Sequence, residues 1–218
     1  MIFRNRTDAG KILAAKLRPY AQRQDVVVLA LPRGGVPVAF EVAEELNAPL
    51  DVIIVQKLGT PGQEELAMGA IASGNVKIFN HRVMEQLDIS QVQMDSAIAT
   101  AQEELQRRER FYRGGRPSID VQGRTVLLID DGLATGSSMR AAAAAIRQQQ
   151  PSQLVLAVPV ASQATCDELQ SEFDEVVCAV TPERFYAVGQ WYQEFSQTTD
   201  QEVRDLLARA AARTPRAA

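Results

Sequence analysis

Two adjacent carboxylates, Asp130 and Asp131, follow an aliphatic run in the stretch VLLIDDGLATGSSM at residues 126–139. Like charges this close repel each other, so the pair is costly unless a cation, a hydroxyl-rich ligand or solvent receives it. The turn that follows, ATGSS, is small and rich in hydroxyls, and it stands where a helix should begin. The free N–H groups, the dipole and the hydroxyls of such a turn suit a phosphate monoester. The stretch therefore indicates a phosphorylated sugar whose hydroxyls donate to the carboxylates, with a Mg²⁺-bound group nearby.

Two other turns contain residues that suit anions. Gly34 and Gly35 lack a Cβ, so backbone N–H groups can approach an anion, and Arg33 adds a charge that can bind in a bidentate manner. A plain strand-to-helix turn explains the same three residues equally well. Lys57 precedes a loop at residues 58–66 that is suited to closing over a ligand. A surface lysine on a hairpin-like connection is the alternative.

The elements that would position these turns are continuous apolar runs, which are typical of strands buried on both faces of a parallel sheet. Five such strands are predicted, at residues 26–31, 51–56, 125–130, 153–161 and 175–180. Short strands are also expected at residues 68–72 and 76–79. Helices are predicted at residues 36–47, 90–113, 137–149 and 202–212, with another through Leu169 and a first helix capped by Thr7 or Asp8. This alternation predicts an α/β fold with a mostly parallel sheet that binds ligands beyond the strand carboxyl ends.

Composition removes several classes of function. The 218 residues carry a net charge of −4, which argues against a general nucleic-acid binder. No apolar run reaches membrane-spanning length, and we expect a soluble, cytoplasmic protein of one domain. The single histidine, His81, excludes a two-histidine metal site, and no GxSxG is present to hold a serine nucleophile. We expect His81 to be structural, and we expect neither a disulfide framework nor a zinc site from Cys166 and Cys178.

The helix at residues 90–113 is rich in arginine, and acid-first pairs of Glu103–Arg107, Glu104–Arg108 and Glu109–Arg113 should support it. Its arginines are expected to form a solvated face. A basic arm that reaches a phosphate or a partner subunit is the alternative.

The stretch at residues 126–138 resembles the phosphoribosyl pyrophosphate (PRPP) signature of type I phosphoribosyltransferases, which is four hydrophobic residues, two acids and a small Thr-Gly phosphate loop. Other phosphate motifs, GxxxxGK[ST] and GxGxxG, are absent. The segments FRNRTDAG, LPRGGVPVA, QKLGTPG and YRGGRP also resemble a widespread group of predicted bacterial phosphoribosyltransferases without an assigned acceptor. The resemblance implies a type I fold with a mostly parallel twisted sheet flanked by helices, a helical insertion at about residues 80–116 and a small C-terminal hood at about 181–200.

The resemblance also implies a role for each turn. Asp130 and Asp131 would bind the ribose hydroxyls, and would contact Mg²⁺ only indirectly because PRPP carries the metal. The pyrophosphate would be held with Mg²⁺ by the Arg33 turn, and Lys57 would act with the two aspartates in catalysis. The residues expected to cradle the 5′-phosphate are Ala134, Thr135, Gly136, Ser137 and Ser138. Displacement of pyrophosphate at the anomeric carbon would proceed through an oxocarbenium-like state, by positioning and charge stabilisation.

The acceptor is expected in the hood, where ERFYAVGQWYQEF resembles the hood of hypoxanthine-type enzymes. Phe185 or Tyr186 would stack on a planar base, with Trp191 close by, although the same rings could simply pack the hood onto the core. Hypoxanthine-type enzymes have an acid and a lysine where this chain has Ala134 and Ser137. The sequence therefore predicts a nucleobase or related nitrogen acceptor without specifying a 6-oxopurine.

Three functions stay open at the level of the sequence. The first is a salvage-type phosphoribosyltransferase that uses PRPP and Mg²⁺. The second is a non-catalytic regulator that binds PRPP, and the third is pyrophosphorolysis or hydrolysis of a nucleotide in the same pocket. Type I enzymes are commonly dimers, so a homodimer is expected, with no nucleic-acid or membrane partner.

Overall fold

A computed structural model describes residues 2–60, 63–74, 76–80, 83–84 and 89–213. Its strands are β1 (Val26–Ala30), β2 (Leu50–Val52), β3 (Val55–Thr60), β4 (Gln63–Ala72), β5 (Val76–Phe79), β6 (Thr125–Ile129), β7 (Gln153–Val160) and β8 (Glu175–Val180). Its helices are α1 (Arg6–Lys16), α2 (Gly35–Leu46), α3 (Gln91–Arg113), α4 (Ser137–Gln148), α5 (Gln163–Leu169) and α6 (Asp200–Arg213). Short 3₁₀ helices lie at Arg18–Tyr20 and Val188–Trp191.

Five strands form a fully parallel sheet in the order β2-β1-β6-β7-β8, which confirms the predicted α/β class. Successive residues of each strand face opposite sides of the sheet. Val26 and Val28 pack with α1, α2 and α6, whereas Val27 and Leu29 pack with α4 and α5. Both faces are therefore covered, which explains why these strands have no polar alternation.

The strand predicted at residues 51–56 is two strands in different sheets, so that prediction was wrong. The N–H of Ile53 still bonds to the carbonyl of Ala30 in the parallel sheet, at 3.0 Å. The N–H of the next residue, Ile54, instead donates to the Ser73 hydroxyl, and the Ser73 N–H donates to the Ile54 carbonyl, each at 2.9 Å. The chain thus passes into an antiparallel sheet of order β3-β4-β5. An unbroken apolar run gives no sign of this change of sheet.

The antiparallel sheet also contains most of the segment at residues 58–66 that was predicted as a loop. Residues 58–60 belong to β3 and residues 63–66 belong to β4, so most of the predicted loop is a hairpin. Pro61 and Gly62, at its turn, lie outside the described residues, as does His81. Lys57 is inside β3 and not at the start of a loop.

The first helix is capped by Asn5, whereas Thr7 or Asp8 was predicted. The side chain of Asn5 accepts a hydrogen bond from the Asp8 N–H at 3.0 Å, and both predicted caps lie inside α1. An Asn N-cap satisfies one of the free N–H groups of the first turn. The cap is important here because it brings the helix start, with Arg6 as its first residue, to a defined place.

Helix α3 confirms the helix predicted at residues 90–113 but does not have a uniformly solvated arginine face. Arg113 is 8% exposed and donates from Nε to Asp51 at 2.9 Å, from Nη1 to Glu109 at 2.9 Å and from Nη2 to the Val52 carbonyl at 2.9 Å. Arg113 thus joins α3 to β2. The predicted pair Glu109–Arg113 is formed, whereas Arg107 binds Glu104, three residues before it, at 2.8 Å and not Glu103.

The two cysteines form a disulfide between α5 and β8, Cys166–Cys178. A single cross-link is not a framework, and the sequence analysis did not predict this pairing. Their separation of 12 residues had no recognisable motif. Among the described residues, no helix is both long enough and apolar enough to cross a membrane.

Removal of the buried guanidinium should destabilise the fold. We expect Arg113→Met to lower the free energy of unfolding by about 3–5 kcal/mol, because the Asp51 carboxylate would be left buried without a partner. Urea denaturation followed by circular dichroism measures this change. Arg107→Met, in the exposed pair on the same helix, is the matched control and should not change the midpoint. Equal effects of the two substitutions would show that Arg113 is not a structural cation.

Candidate active site

The turn after β1 and the turn after β6 meet at the carboxyl edge of the parallel sheet. The Leu31 N–H bonds to the Ile129 carbonyl at 2.9 Å, so the two strands end side by side. A Cβ on Gly34 would overlap the Asp131 carboxylate, and one on Gly35 would lie 2.8 Å from the Ile129 carbonyl oxygen. Both positions therefore need glycine because the backbone passes directly over the end of β6. The structure brings four predicted site residues into one place.

The carboxylate of Asp130 is difficult to ionise where it lies. Burial, followed by the charge of Asp131, raises the pKa of Asp130 well above its usual range. The N–H of Asp131 donates to Oδ1 of Asp130 at 2.8 Å, which opposes that shift in pKa. The Asp130 carboxylate accepts few hydrogen bonds from the protein, so a donor such as a sugar hydroxyl could bind to it.

Arg6 binds the second carboxylate. Its Nε donates to Oδ2 of Asp131 at 2.8 Å, and the two side chains are 12% and 14% exposed. Burial raises the pKa of Asp131, and the guanidinium of Arg6 opposes this by charge and by hydrogen bonding. The two aspartates are thus unequal, because Asp131 has a resident cation and Asp130 depends on a backbone N–H.

Tyr192 and Phe195 connect this pair to the segment after β8. The Tyr192 hydroxyl donates to the Asp131 carbonyl at 2.5 Å, and its ring stacks on Phe195 with the centroids 4.9 Å apart. Burial, followed by the charge of Asp131, raises the pKa of Tyr192, so the phenol stays a donor. Phe3 packs against the same tyrosine, and its N–H and carbonyl bond to residues 191 and 193 at 2.8 Å each. The N-terminal segment is therefore part of the site's wall.

The predicted phosphate loop leads into α4. Gly136 is the N-cap in a left-handed conformation, φ 71°, and makes no side-chain cap bond, so no side chain occupies the helix start. The hydroxyl of Thr165 donates to the Ala134 carbonyl at 3.3 Å, which holds the loop to α5. Residues 134, 135, 137 and 138 are exposed. This arrangement suits a phosphate, because an anion can reach a helix N-terminus from solvent.

The remaining predicted residues lie further apart. Lys57 lines a cavity of about 780 Å³ together with Ser137, Ser138 and Arg140, between β3 and α4. The aspartates do not line this cavity. Arg33 faces the start of α6, with Nη1 4.0 Å from a carboxylate oxygen of Asp200. The structure therefore groups Lys57 with the phosphate loop and places the Arg33 side chain near the start of α6.

The three predicted acceptor residues differ in their surroundings. Tyr186 is 77% exposed, whereas Phe185 and Trp191 pack against the cluster of Phe3 and Tyr192. The indole N–H of Trp191 is buried and has no partner among the described residues. Of the three rings, Tyr186 is the most exposed and so the most accessible to a planar ligand.

A resident metal site is not evident in the described part of the chain, where no three His, Cys, Asp or Glu side chains are grouped to hold an ion. One of the two adjacent carboxylates is already paired with a cation. Such a donor set fits a Mg²⁺ ion that is bound mainly by a ligand and only indirectly by the protein.

Sequence reasoning missed Arg6 as a site residue and assigned Tyr192 no contact. Arg6 lies in FRNRTDAG, a segment whose resemblance was recognised without a role. Its distance of 125 residues from Asp131 gives no pairing signal. The one available signal was the pair of carboxylates itself, which needs a counter-charge.

Comparison with known proteins agrees with the family resemblance seen in the sequence. Residues 2–191 match the phosphoribosyl transferase domain family. Two proteins from Mycobacterium tuberculosis, strains CDC 1551 and H37Rv, are named provisionally as phosphoribosyl transferases and are each 46% identical over 96% of this chain. The chain spans 47% of the length of these relatives. The crystal structure of TT1426 from Thermus thermophilus superposes with a TM-score of 0.82 at 40% identity, covering 96% of this chain and 99% of that one.

The raised pKa of Asp130 predicts a pH-dependent cost to stability. An acid whose pKa rises on folding favours the folded state while it is protonated. The wild type should therefore lose stability as the pH rises from 3.8, the usual pKa of aspartic acid, to the raised pKa of Asp130 in the folded protein. Asp130→Asn cannot ionise, so it avoids the cost of a charged carboxylate at this position and should be more stable than the wild type at pH 7. Urea denaturation at pH 4 and pH 7 tests this, and the advantage should shrink at pH 4.

The control for this comparison is Asp205→Asn, on the exposed face of α6. It should change stability little at either pH. A destabilised Asp130→Asn variant at pH 7 would contradict the assignment of Asp130 as a strained, buried acid.

Proposed function

This chain belongs to the phosphoribosyl transferase domain family, and we propose that it uses PRPP and Mg²⁺ to transfer a phosphoribosyl group to a nucleobase or related nitrogen acceptor. The observation that supports this most directly is the meeting of Gly34 and Gly35 with Asp130 and Asp131 at one edge of the sheet. One group of residues can thus receive the diphosphate and ribose parts of one ligand.

Each part of PRPP has a proposed partner. The ribose hydroxyls donate to Asp130 and Asp131, and the 5′-phosphate binds the exposed loop of residues 134–138. The backbone at Gly34 and Gly35 faces the pyrophosphate. The Arg33 side chain, now near Asp200, would have to turn toward this group. Lys57 shares a cavity with the phosphate loop, so its charge can act on a phosphate group there.

The chemistry requires little acid–base catalysis from the protein. The acceptor nitrogen forms a bond to the anomeric carbon as the bond from that carbon to the pyrophosphate oxygen breaks, and the proton lost by the nitrogen leaves with pyrophosphate. Mg²⁺, when bound with PRPP, neutralises charge on the pyrophosphate. The residues of the chain hold the ribose between carboxylates, which favours the positive charge that develops on the sugar.

The proposed acceptor site is the hood at residues 181–200. The exposure of Tyr186 supports a stacking role for this ring, which is the usual way to hold a planar base. The packing of Phe185 and Trp191 supports a role in holding the hood in place. The identity of the base is left to experiment, because stacking tolerates any planar ring.

The first test is binding of Mg²⁺-PRPP by isothermal titration calorimetry. We expect Asp130→Asn combined with Asp131→Asn to abolish binding without unfolding the protein, because the variant retains the volume and loses both carboxyl groups that accept from ribose. Circular dichroism provides the folding check. Unchanged affinity in the double variant would exclude this edge of the sheet as the PRPP site.

The same preparation should be tested for pyrophosphate release with a panel of purine and pyrimidine bases. Release that depends on one base would establish a transferase and identify its acceptor. Binding of PRPP without release across the panel would favour the regulatory alternative or an acceptor outside the nucleobases. No PRPP binding at all would contradict the proposal in both forms.

The hood has a separate prediction. Tyr186→Ala should raise KM for the acceptor about tenfold or more, the loss typical of one stacked ring, and leave KM for PRPP nearly unchanged. Steady-state kinetics with each substrate varied in turn measures this split. Tyr186→Phe, which keeps the ring, is the control and should behave as the wild type. Equal increases in both KM values would assign Tyr186 a packing role.

A further inference from the structure

We propose that Arg6 is a positioning residue of the PRPP site, which holds the Asp131 carboxylate in one orientation so that a ribose hydroxyl can donate to it. This inference rests on the proposed function for the identity of the ligand. Its structural basis is independent, because it depends on contacts of Arg6 that the structure shows without any ligand.

Three contacts hold the guanidinium of Arg6. Nε donates to Oδ2 of Asp131 at 2.8 Å, and Nη1 donates to the Ser196 carbonyl at 2.7 Å. The guanidinium carbon lies 4.0 Å from the centroid of the Phe195 ring, a cation–π distance. A group held from three directions has little freedom, so the carboxylate oxygen that it binds is also held in one orientation.

The contact explains how two adjacent carboxylates can coexist at the end of β6. Within the described part of the chain, one cationic side chain, Arg6, forms an ion pair with these two carboxylates, and it binds Asp131. The pairing uses Oδ2 of Asp131. A carboxylate has about four acceptor positions in all. Arg6 can therefore neutralise Asp131 and still leave acceptor capacity for a hydroxyl of the ligand.

The contact between Arg6 and Asp131 is also linked to the hood and to the glycine turn after β1. The Tyr192 hydroxyl holds the Asp131 carbonyl, and Tyr192 stacks on Phe195, the ring that lies against Arg6. Gly34 lies against Oδ2 of Asp131, the oxygen that Arg6 binds, and a Cβ on Gly34 would lie 3.3 Å from Nε of Arg6. Movement of Arg6 would thus shift the carboxylate relative to the glycine turn as well as relative to the hood.

Arginine is required for this arrangement because its donors point in different directions. Lysine carries a single nitrogen, which can pair with Asp131 but cannot reproduce the flat contact with Phe195 and the bond to Ser196 together. Glutamine removes the charge. The substitutions Arg6→Lys and Arg6→Gln therefore separate the effect of charge from the effect of geometry.

The test measures binding of two probes, Mg²⁺-PRPP and Mg²⁺-pyrophosphate, to the full chain by calorimetry. Arg6→Gln should weaken PRPP binding by about tenfold or more, as expected for a lost charge-assisted contact, because a misplaced Asp131 carboxylate no longer accepts from ribose. Pyrophosphate has no ribose, so its affinity should change by less than about threefold. Arg6→Lys should recover part of the loss for PRPP. Arg4→Gln is the matched control, since Arg4 is 76% exposed and pairs only locally with Asp8.

A double-mutant cycle identifies whether Arg6 acts through Asp131. In an Asp131→Asn background, Arg6→Gln should weaken PRPP binding by less than about threefold further, because its target is already neutral. Full additivity in the cycle would overturn the inference. Equal weakening of PRPP and pyrophosphate by Arg6→Gln would also overturn it, because that pattern indicates a general loss of structure.

The outcomes also separate this inference from the proposed function. If the wild type binds PRPP, Asp131→Asn weakens binding and Arg6→Gln does not, the function stands and the role of Arg6 is wrong. If the wild type does not bind PRPP, the proposed function fails, and with it the identity of the ligand. If Arg6→Gln does not fold, Arg6→Lys provides the same comparison. The inference would be overturned if a folded Arg6→Lys bound PRPP as tightly as the wild type and showed no coupling to Asp131→Asn in the double-mutant cycle.

Discussion

The repulsion between two adjacent, largely buried carboxylates organises the surroundings of the site. Asp130 and Asp131 lie at the end of β6, the central strand of the five-stranded sheet, and burial raises the pKa of both groups. A protein can tolerate such a pair when a cation or hydrogen-bond donors oppose the charge. Here the guanidinium of Arg6 and a backbone N–H do so only in part. The incomplete compensation supports the proposal that the pair accepts hydroxyls of a ligand.

The parallel sheet explains why the groups that oppose this charge arrive from distant parts of the sequence. The carboxyl ends of β1 and β6 are neighbours, so the glycine turn after β1 reaches the aspartates after β6 directly. The N-terminal segment reaches the same point because Phe3 pairs with Tyr192, and α1 then begins at Arg6. Stability and function are linked here, since the contacts that hold the N-terminal segment also hold Asp131.

The sequence predicted the features that depend on local pattern. The continuous apolar strands, the helix starts near residues 90 and 137 and the ligand-binding edge follow from periodicity and turn chemistry. The structure confirms both helix starts to within one residue and all the long strands except the one predicted at residues 51–56. It did not predict features that depend on distant partners. The break after Ile53 depends on Ser73, the burial of Arg113 depends on Asp51, and the contact of Arg6 depends on a residue 125 positions away. The residues that would bind the acceptor, like the expected homodimer, stay predictions.

The central claim, that the paired carboxylates receive ribose, is tested most directly by a crystal structure of the protein with Mg²⁺-PRPP bound. The account predicts ribose hydroxyl oxygens within about 3 Å of the Asp130 and Asp131 carboxylates, with the Arg6 contact to Asp131 retained. It also predicts the 5′-phosphate at the N-terminus of α4. PRPP bound in the cavity of Lys57 and Arg140 without contact to either aspartate would contradict the account.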